Sequence, residues 1–123
     1  MVVGIGVDIV AVGRLEKALE RRPRLEARLF TARERADAGP GPVRVKRLAA
    51  RFAAKEALLK ALGTGLGDAS WQEVSVMRLA DGPPRLVLTG RILERARRLG
   101  VVRSHLSLTH EGAYALAQVV LEG

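Results

Sequence analysis

Two acidic side chains stand where packing gives them no evident reason to be. The first is Glu56, inside Arg51-Phe52-Ala53-Ala54-Lys55-Glu56-Ala57-Leu58-Leu59-Lys60-Ala61-Leu62, a helical pattern that ends in Gly63-Thr64-Gly65. At helical spacing Phe52, Glu56 and Lys60 stack one turn apart. Leu48, Ala49, Phe52 and Leu59 mark the adjoining surface that should face the core, which puts Glu56 at the core boundary. A half-buried carboxylate costs free energy unless an opposite charge or a cation compensates it. Either Lys60 pairs with Glu56 or a metal does. The second acid is Asp8, in Val2-Val3-Gly4-Ile5-Gly6-Val7-Asp8-Ile9-Val10, which reads as a strand with Val3, Ile5, Val7 and Ile9 on one face. Asp8 shares the other face with Gly4 and Gly6. Two glycines inside a strand imply that another backbone or a ligand approaches closely. Taken singly, Asp8 can also cap a helix starting near Gly13, and Glu56 can form an ordinary helix pair with Lys60.

The elements that must position these groups follow from periodicity and turn chemistry. Thr31-Ala32-Arg33-Glu34 has the form of a capping box, and Gly39-Pro40-Gly41-Pro42 breaks any helix and predicts a mobile loop. A long helix is expected from about Val45 to Leu62. Val74 to Leu79 and Leu86 to Thr89 read as strands across Asp81-Gly82-Pro83-Pro84. Gly90 to Leu99 reads as a basic amphipathic helix. Alternation from Val102 to Thr109, a turn at Glu111-Gly112 and the run Tyr114 to Leu121 predict a hairpin. Strands joined mostly by turns, with helices inserted between them, predict an α+β fold with a largely antiparallel sheet around a long central helix. At 123 residues the expectation is one domain, residues 1–123. There is no internal repeat.

Composition sets further limits. The net charge is +8, from 21 basic and 13 acidic residues, and asks for an anionic partner or substrate. Arg14, Lys17, Arg21, Arg24 and Arg28 recur at steps of three and four, with Leu15, Leu19, Leu25 and Leu29 on the apolar side. This stripe is either a docking surface or a solvated helix face. Pro23 interrupts it and predicts a kink, or two short helices with Pro23 near the start of the second. The absence of cysteine rules out disulfides and thiolate metal ligands. No export signal is visible and no apolar run reaches the roughly 20 residues of a membrane-spanning helix, so a cytoplasmic protein with no membrane partner is expected. A basic nucleic-acid-binding module is the main alternative on charge. Four aromatic residues, scattered along the chain, are too few for a base-stacking platform. A nucleotide hydrolase lacks its G-x-x-x-x-G-K-[ST] loop, and no nucleophile elbow surrounds Ser107.

The ordered set of motifs says more than any one of them. Gly4-Ile5-Gly6-Val7-Asp8, Leu29-Phe30-Thr31-Ala32-Arg33-Glu34, Phe52-Ala53-Ala54-Lys55-Glu56-Ala57, Gly63-Thr64-Gly65, Ser107-Leu108-Thr109-His110 and Tyr114-Ala115-Leu116-Ala117 span nearly the whole chain. In order and spacing they resemble the holo-acyl carrier protein synthase family, the small 4′-phosphopantetheinyl transferases. The resemblance implies a homotrimer with active sites at subunit interfaces. It also implies transfer of 4′-phosphopantetheine from coenzyme A to a serine of apo-acyl carrier protein, releasing 3′,5′-ADP in support of fatty-acid biosynthesis, with no nucleic-acid partner. Magnesium suits the chemistry, because it commonly binds through one or two carboxylates plus phosphate oxygens. Asp8 and Glu56 are the expected ligands, with Glu111, which follows His110 at a position where some family members have an acid, a candidate third oxygen of the metal shell. Asp8, Glu56, Lys60 and His110 are the expected catalytic residues. Arg51, Lys60, Gly63, Gly65 and His110 are expected on coenzyme A, with Arg44, Lys46 and Arg47 clustered beside Arg51. The general base stays open between Glu56, His110 and a water made acidic by the ion. Arg14, Arg21, Arg24 and Arg28 are expected to meet the carrier's acidic helix. Two positions depart from the family pattern: Ala18 stands where a larger apolar residue is usual, and Gly82-Pro83-Pro84 replaces a frequent Gly-basic-Pro, leaving Arg85 to compensate.

Overall fold

The computed structural model describes all 123 residues. Strand β1 (Val2–Ala11) runs directly into helix α1 (Val12–Arg21), followed by α2 (Leu25–Leu29), α3 (Ala32–Ala38) and the long α4 (Arg44–Leu62). A 3-10 turn at Trp71–Glu73 leads to β2 (Val74–Met77), β3 (Arg85–Leu88), α5 (Gly90–Arg98), β4 (Arg103–Glu111) and β5 (Tyr114–Glu122). β1, β5 and β4 form an antiparallel sheet in that spatial order, and β2 and β3 form a separate antiparallel pair. The fold is therefore α+β, with α4 laid across the three-stranded sheet as expected. β2 is two residues shorter than its hydrophobic run, and Pro23 stands in the turn between α1 and α2 rather than inside the second helix.

The glycines of β1 explain how α4 gets so close. A Cβ on Gly4 would lie 2.1 Å from the Ala61 carbonyl oxygen, and one on Gly6 would lie 1.9 Å from that of Ala57. Only hydrogen fits there, so the predicted close approach is made by the helix backbone. The buried alanines of α4 (Ala53, Ala54, Ala57, Ala61) extend the same contact toward Ala117, Val119 and Leu121 of β5. The consequence for β1 is unusual: its apolar face points outward, with Ile5 61%, Val7 52% and Ile9 59% exposed.

A second core joins α1, α2 and the start of α4 through Val12, Leu15, Leu29, Phe30, Leu48 and Ala49. Against its Leu29 and Phe30 sits a buried ion pair. Lys55 Nζ lies 2.7 Å from Glu34 Oε1 and donates to the carbonyls of Leu29 (2.6 Å) and Trp71 (3.1 Å). Glu34 accepts from the Thr31 and Val76 amides at 2.9 Å each. The capping box is present, with Thr31 Oγ1 accepting from the Glu34 amide. Its glutamate, however, does more than cap: it ties α3 to α4 and β2. Arginines of α4 tie down the backbone that leads into the Gly39–Pro42 segment: Arg44 donates to the Arg35 and Gly39 carbonyls and to Glu26, and Arg47 donates to the Ala38 carbonyl.

Candidate active site

Asp8, Glu56 and Lys60 come together where β1 passes beneath α4. Lys60 Nζ donates to Asp8 Oδ1 at 2.9 Å and to the Val7 carbonyl at 3.1 Å. This settles two readings that the sequence left open. Asp8 does not cap α1, whose N-cap is Ala11 with no side-chain hydrogen bond. Lys60 pairs across to Asp8 rather than along its own helix to Glu56. Glu56 accepts no hydrogen bond and forms no ion pair within the chain. Burial and then the charge of Asp8 push its carboxyl above the usual range, with Lys60 partly opposing them. An unrelieved carboxylate beside a second one is the donor set that a hard divalent cation favours, since magnesium takes one or two protein carboxylates and completes its shell with phosphate and water. Asp8 and Glu56 fit that requirement. No third acid or histidine joins them in a cluster, and Glu111 lies at the exposed end of β4.

Just beyond Lys60, α4 ends at Gly63, whose left-handed φ of 72° closes the helix. The following loop is tethered by Arg95 of α5, which donates to the Gly65 and Leu66 carbonyls and pairs with Asp68. The amphipathic pattern of α5 did not reveal that contact. Gly63 and Gly65 follow Lys60 closely along the chain.

The remaining expected residues lie elsewhere. Arg51 and His110 line a cavity of about 460 Å³ together with Arg47, Arg78, Gly82 and Pro84. Its lining carries three guanidinium groups and no carboxylate, so it suits an anion. Arg51 is almost fully buried; it donates to the Arg47 carbonyl but leaves Nε without a partner. Burial presses its charged form hardest; Glu34 and Asp37 relieve this, while Arg78 and Arg47 add to it. Of the basic cluster in the sequence, Arg44 is committed to Glu26 and does not reach this cavity. Arg85 also points elsewhere, into a groove with Arg103 and His105. Arg78, which the sequence reading missed, supplies the charge that Gly82-Pro83-Pro84 lacks. Its position just after β2, on the short connection that returns through Gly82, was the available signal.

These two groups of residues occupy opposite flanks of α4. Residues 51 and 60 are nine apart, about half a turn around a helix of 100° per residue. The sheet agrees: Asp8 and His110 are on the same face, but β5 lies between their strands. The basic stripe is also divided. Arg14, Lys17 and Arg21 line one groove against Ala113 and Tyr114, whereas Arg28 lines another with Leu66 and Trp71.

The chain matches the family model described as the 4′-phosphopantetheinyl transferase superfamily over residues 4–119. A holo-[acyl-carrier-protein] synthase of Moorella thermoacetica is 47% identical over 117 residues, covering 95% of this chain and 91% of the relative. The crystal structure of the Neisseria meningitidis holo-[acyl-carrier-protein] synthase superposes with a TM-score of 0.86 at 35% identity, covering 100% of both chains. A Bacillus anthracis holo-(acyl-carrier-protein) synthase in complex with CoA (3′,5′-ADP) gives a TM-score of 0.80 at 37% identity, covering 98% of this chain and 96% of that one. The matching family model is one of transferases, and the nucleic-acid-binding alternative gains no support. With the acid pair, the basic cavity and the sheet-on-helix architecture all in place, the chain belongs to the holo-acyl carrier protein synthase family of the 4′-phosphopantetheinyl transferase superfamily.

Proposed function

We propose that residues 1–123 form one domain that transfers 4′-phosphopantetheine from coenzyme A to a serine of an apo-acyl carrier protein, giving the holo carrier for fatty-acid biosynthesis and releasing 3′,5′-ADP. The observation that carries this reading is the pairing of an acid cluster with a separate cavity rich in guanidinium groups, within a family of transferases whose Bacillus anthracis member was solved with coenzyme A. In the reaction the serine oxygen forms a bond to the phosphorus bearing the pantetheine arm. The bond from that phosphorus to the oxygen of 3′,5′-ADP breaks, and the serine proton passes to a base.

Asp8 and Glu56 would hold magnesium, which when bound supplies charge neutralisation on the pyrophosphate. Lys60, fixed by Asp8 and the Val7 carbonyl but exposed at its ammonium, offers a positive charge to the same phosphates. Gly63 and Gly65 allow close approach of the phosphate-bearing chain. Arg47, Arg51, Arg78 and His110 would hold the nucleotide end and its 3′-phosphate, through charge-assisted hydrogen bonds. Arg14 and Arg21, with Arg24 and Arg28 beyond the turn, would face the acidic carrier.

The separation across α4 bears on assembly. A coenzyme A that needs both groups is served if the acid cluster of one copy meets the basic cavity of another. The outward apolar face of β1 gives copies a surface to bury. A homotrimer with composite sites at its interfaces is the arrangement we propose. No helix is long and apolar enough to cross a membrane, and the reading places the enzyme in the cytoplasm. Intact-mass measurement of apo carrier incubated with coenzyme A and magnesium tests the reaction. A gain of one phosphopantetheine arm is expected, abolished by chelator, and a folded enzyme that adds nothing would refute it.

A further inference from the structure

The loop that leaves α4 after Lys60 is gripped by a side chain from another element. Its start hangs on α4 itself, with the Gly63 amide donating to the Lys60 carbonyl (3.0 Å) and the Thr64 amide to that of Leu59 (3.1 Å). Beyond them no helix or strand holds the chain until Trp71. Arg95 of α5 reaches it there: Nη1 donates to the Gly65 carbonyl at 2.9 Å, and Nη2 donates to the Leu66 carbonyl at 3.0 Å and to Asp68 Oδ1 at 2.9 Å. Arg91, one turn earlier on α5, donates to the Asp68 carbonyl at 2.7 Å and pairs with the Asp68 carboxylate. The loop curls around the Arg95 guanidinium through a tight turn, in which the Ala69 amide donates to the Leu66 carbonyl at 3.0 Å. Gly67 takes the left-handed position of that turn (φ 57°), and a Cβ there would lie 3.0 Å from Arg95 Nη2.

Engaging two successive carbonyls fixes where the neighbouring amides point. In a planar trans peptide the C=O and the N–H that follows it point in opposite directions, and the chain has no cis bond. With the Gly65 and Leu66 oxygens turned onto Arg95, the Leu66 and Gly67 amides point away from it. Neither amide donates to an acceptor in the chain. Consecutive free amides attract anions, whereas carbonyl oxygens repel them. A loop beside a pyrophosphate must therefore turn its oxygens away and offer its N–H groups, and Arg95 holds residues 65–67 in that orientation.

We infer that Arg95 is a positioning residue for coenzyme A, fixing the 65–67 backbone so that the Leu66 and Gly67 amides meet the pyrophosphate held by Asp8, Glu56 and Lys60. The inference rests on the transferase reading above and extends it to α5, which carries none of the expected site residues. Arg95 touches no substrate and acts through the loop. Its planar fork serves three acceptors at once, which the single ammonium of a lysine does not reproduce.

The test separates donor binding from carrier binding and from folding. Arg95→Met keeps the aliphatic stem and loses the fork. It should raise the coenzyme A KM about tenfold, leave the carrier KM within about twofold, and retain the circular dichroism of the unmodified enzyme. The same rise is expected with dephospho-coenzyme A, because the loop serves the pyrophosphate and not the 3′-phosphate. Arg95→Lys should give an intermediate KM. Saturating coenzyme A should slow hydrogen exchange at the Leu66 and Gly67 amides about tenfold in the unmodified enzyme, and much less in Arg95→Met. Asp68→Ala, at an exposed position, should raise the coenzyme A KM by about threefold. Arg98→Ala, which loses only a 3.7 Å contact to Glu94, should leave both KM values unchanged. A coenzyme A KM within about twofold of the original in Arg95→Met, an equal rise in both KM values, or a deficit that disappears with dephospho-coenzyme A would overturn the inference. So would exchange at Leu66 and Gly67 that coenzyme A does not slow. Should Arg95→Met fail to fold, the Asp68→Ala kinetics and the exchange of the unmodified enzyme decide the matter. Absence of transfer by the unmodified enzyme is a separate result, and it would sink the transferase reading itself.

Discussion

Lys55→Met should be among the most destabilising single substitutions in the chain, although it exchanges a charge for an apolar side chain of similar length in a fully buried position. Lys55 and Glu34 are both 0% exposed. The ammonium has three donors, and three acceptors meet them: Glu34 Oε1, the Leu29 carbonyl and the Trp71 carbonyl. Burial depresses the Lys55 ammonium below the usual lysine range, and the adjacent Glu34 carboxylate opposes that effect. Removing the cation leaves a carboxylate buried without a counter-charge and two carbonyls without this donor. Breaking one side of such a pair costs about 3–5 kcal/mol, a large part of the roughly 5–15 kcal/mol that holds a domain together.

Trp71 is the only tryptophan and its own carbonyl belongs to the network, so its fluorescence reports the transition directly. With urea slopes of about 1–3 kcal/mol per molar, the midpoint should fall by about 1 M or more, measured at fixed protein concentration because assembly contributes to apparent stability. Adding Glu34→Gln should recover part of the loss, since the neutral amide oxygen can still accept a backbone N–H and no charge remains buried. A Lys55→Met protein within about 1 kcal/mol of the original, or a double variant as unstable as the sum of its parts, would refute the reasoning.

Asp8→Asn should lower kcat about a hundredfold or more by removing a ligand and the anchor of Lys60, with near-normal circular dichroism. Glu56→Gln should lose turnover yet raise the urea midpoint of the metal-free protein at neutral pH. The raised carboxyl makes the unfolded chain bind fewer protons as pH climbs, so the destabilisation is complete above the folded-state value and fades as pH falls toward the ordinary carboxylate range. The gain from Glu56→Gln should therefore vanish in acid, and a gain independent of pH would contradict the assignment. Arg78→Ala should raise the coenzyme A KM about tenfold, leave the carrier KM unchanged, and have little effect with dephospho-coenzyme A if the cavity holds the 3′-phosphate. Gly6→Ala should cost about 3 kcal/mol, because its Cβ would meet the Ala57 carbonyl oxygen at 1.9 Å and push α4 away from the sheet.

The elements and their order were legible because each has a local signal. The long helix differs from its expected span by one residue, and both hairpins form where turn residues marked them. Coverage of a strand face is a different matter. Alternation in β1 shows that Val3, Ile5, Val7 and Ile9 share a face, but not which face receives the helix. Hydrophobicity alone favours the valine and isoleucine side. The glycine side takes α4 because only there can two backbones approach closely, and the apolar side is left open. Lys55 was illegible for a related reason. A lysine within a helical pattern reads as a solvated charge, and the acceptors that bury it sit at residues 29, 34 and 71, which no local spacing connects.

The same limit explains why the candidate site was legible as a list of residues but not as an arrangement. Glu56 and Arg51 are five positions apart in one motif, and proximity along the chain suggests a shared ligand surface within one copy. Helical geometry separates them, and α4 sits with its Ala57 and Ala61 backbone directly on Gly6 and Gly4. A ligand must then reach around α4 or bridge two chains. That choice can be tested by mixing an Asp8→Asn protein with an Arg51→Ala protein, each expected to be nearly inactive alone. If sites are built between copies, mixed assemblies contain some interfaces with both groups intact, and activity should return to a fraction set by random mixing. If one copy supplies both groups, every site retains a lesion and no mixture recovers. Subunit exchange must be confirmed by mass-tagged chains, and exchange without recovered activity would exclude the composite site.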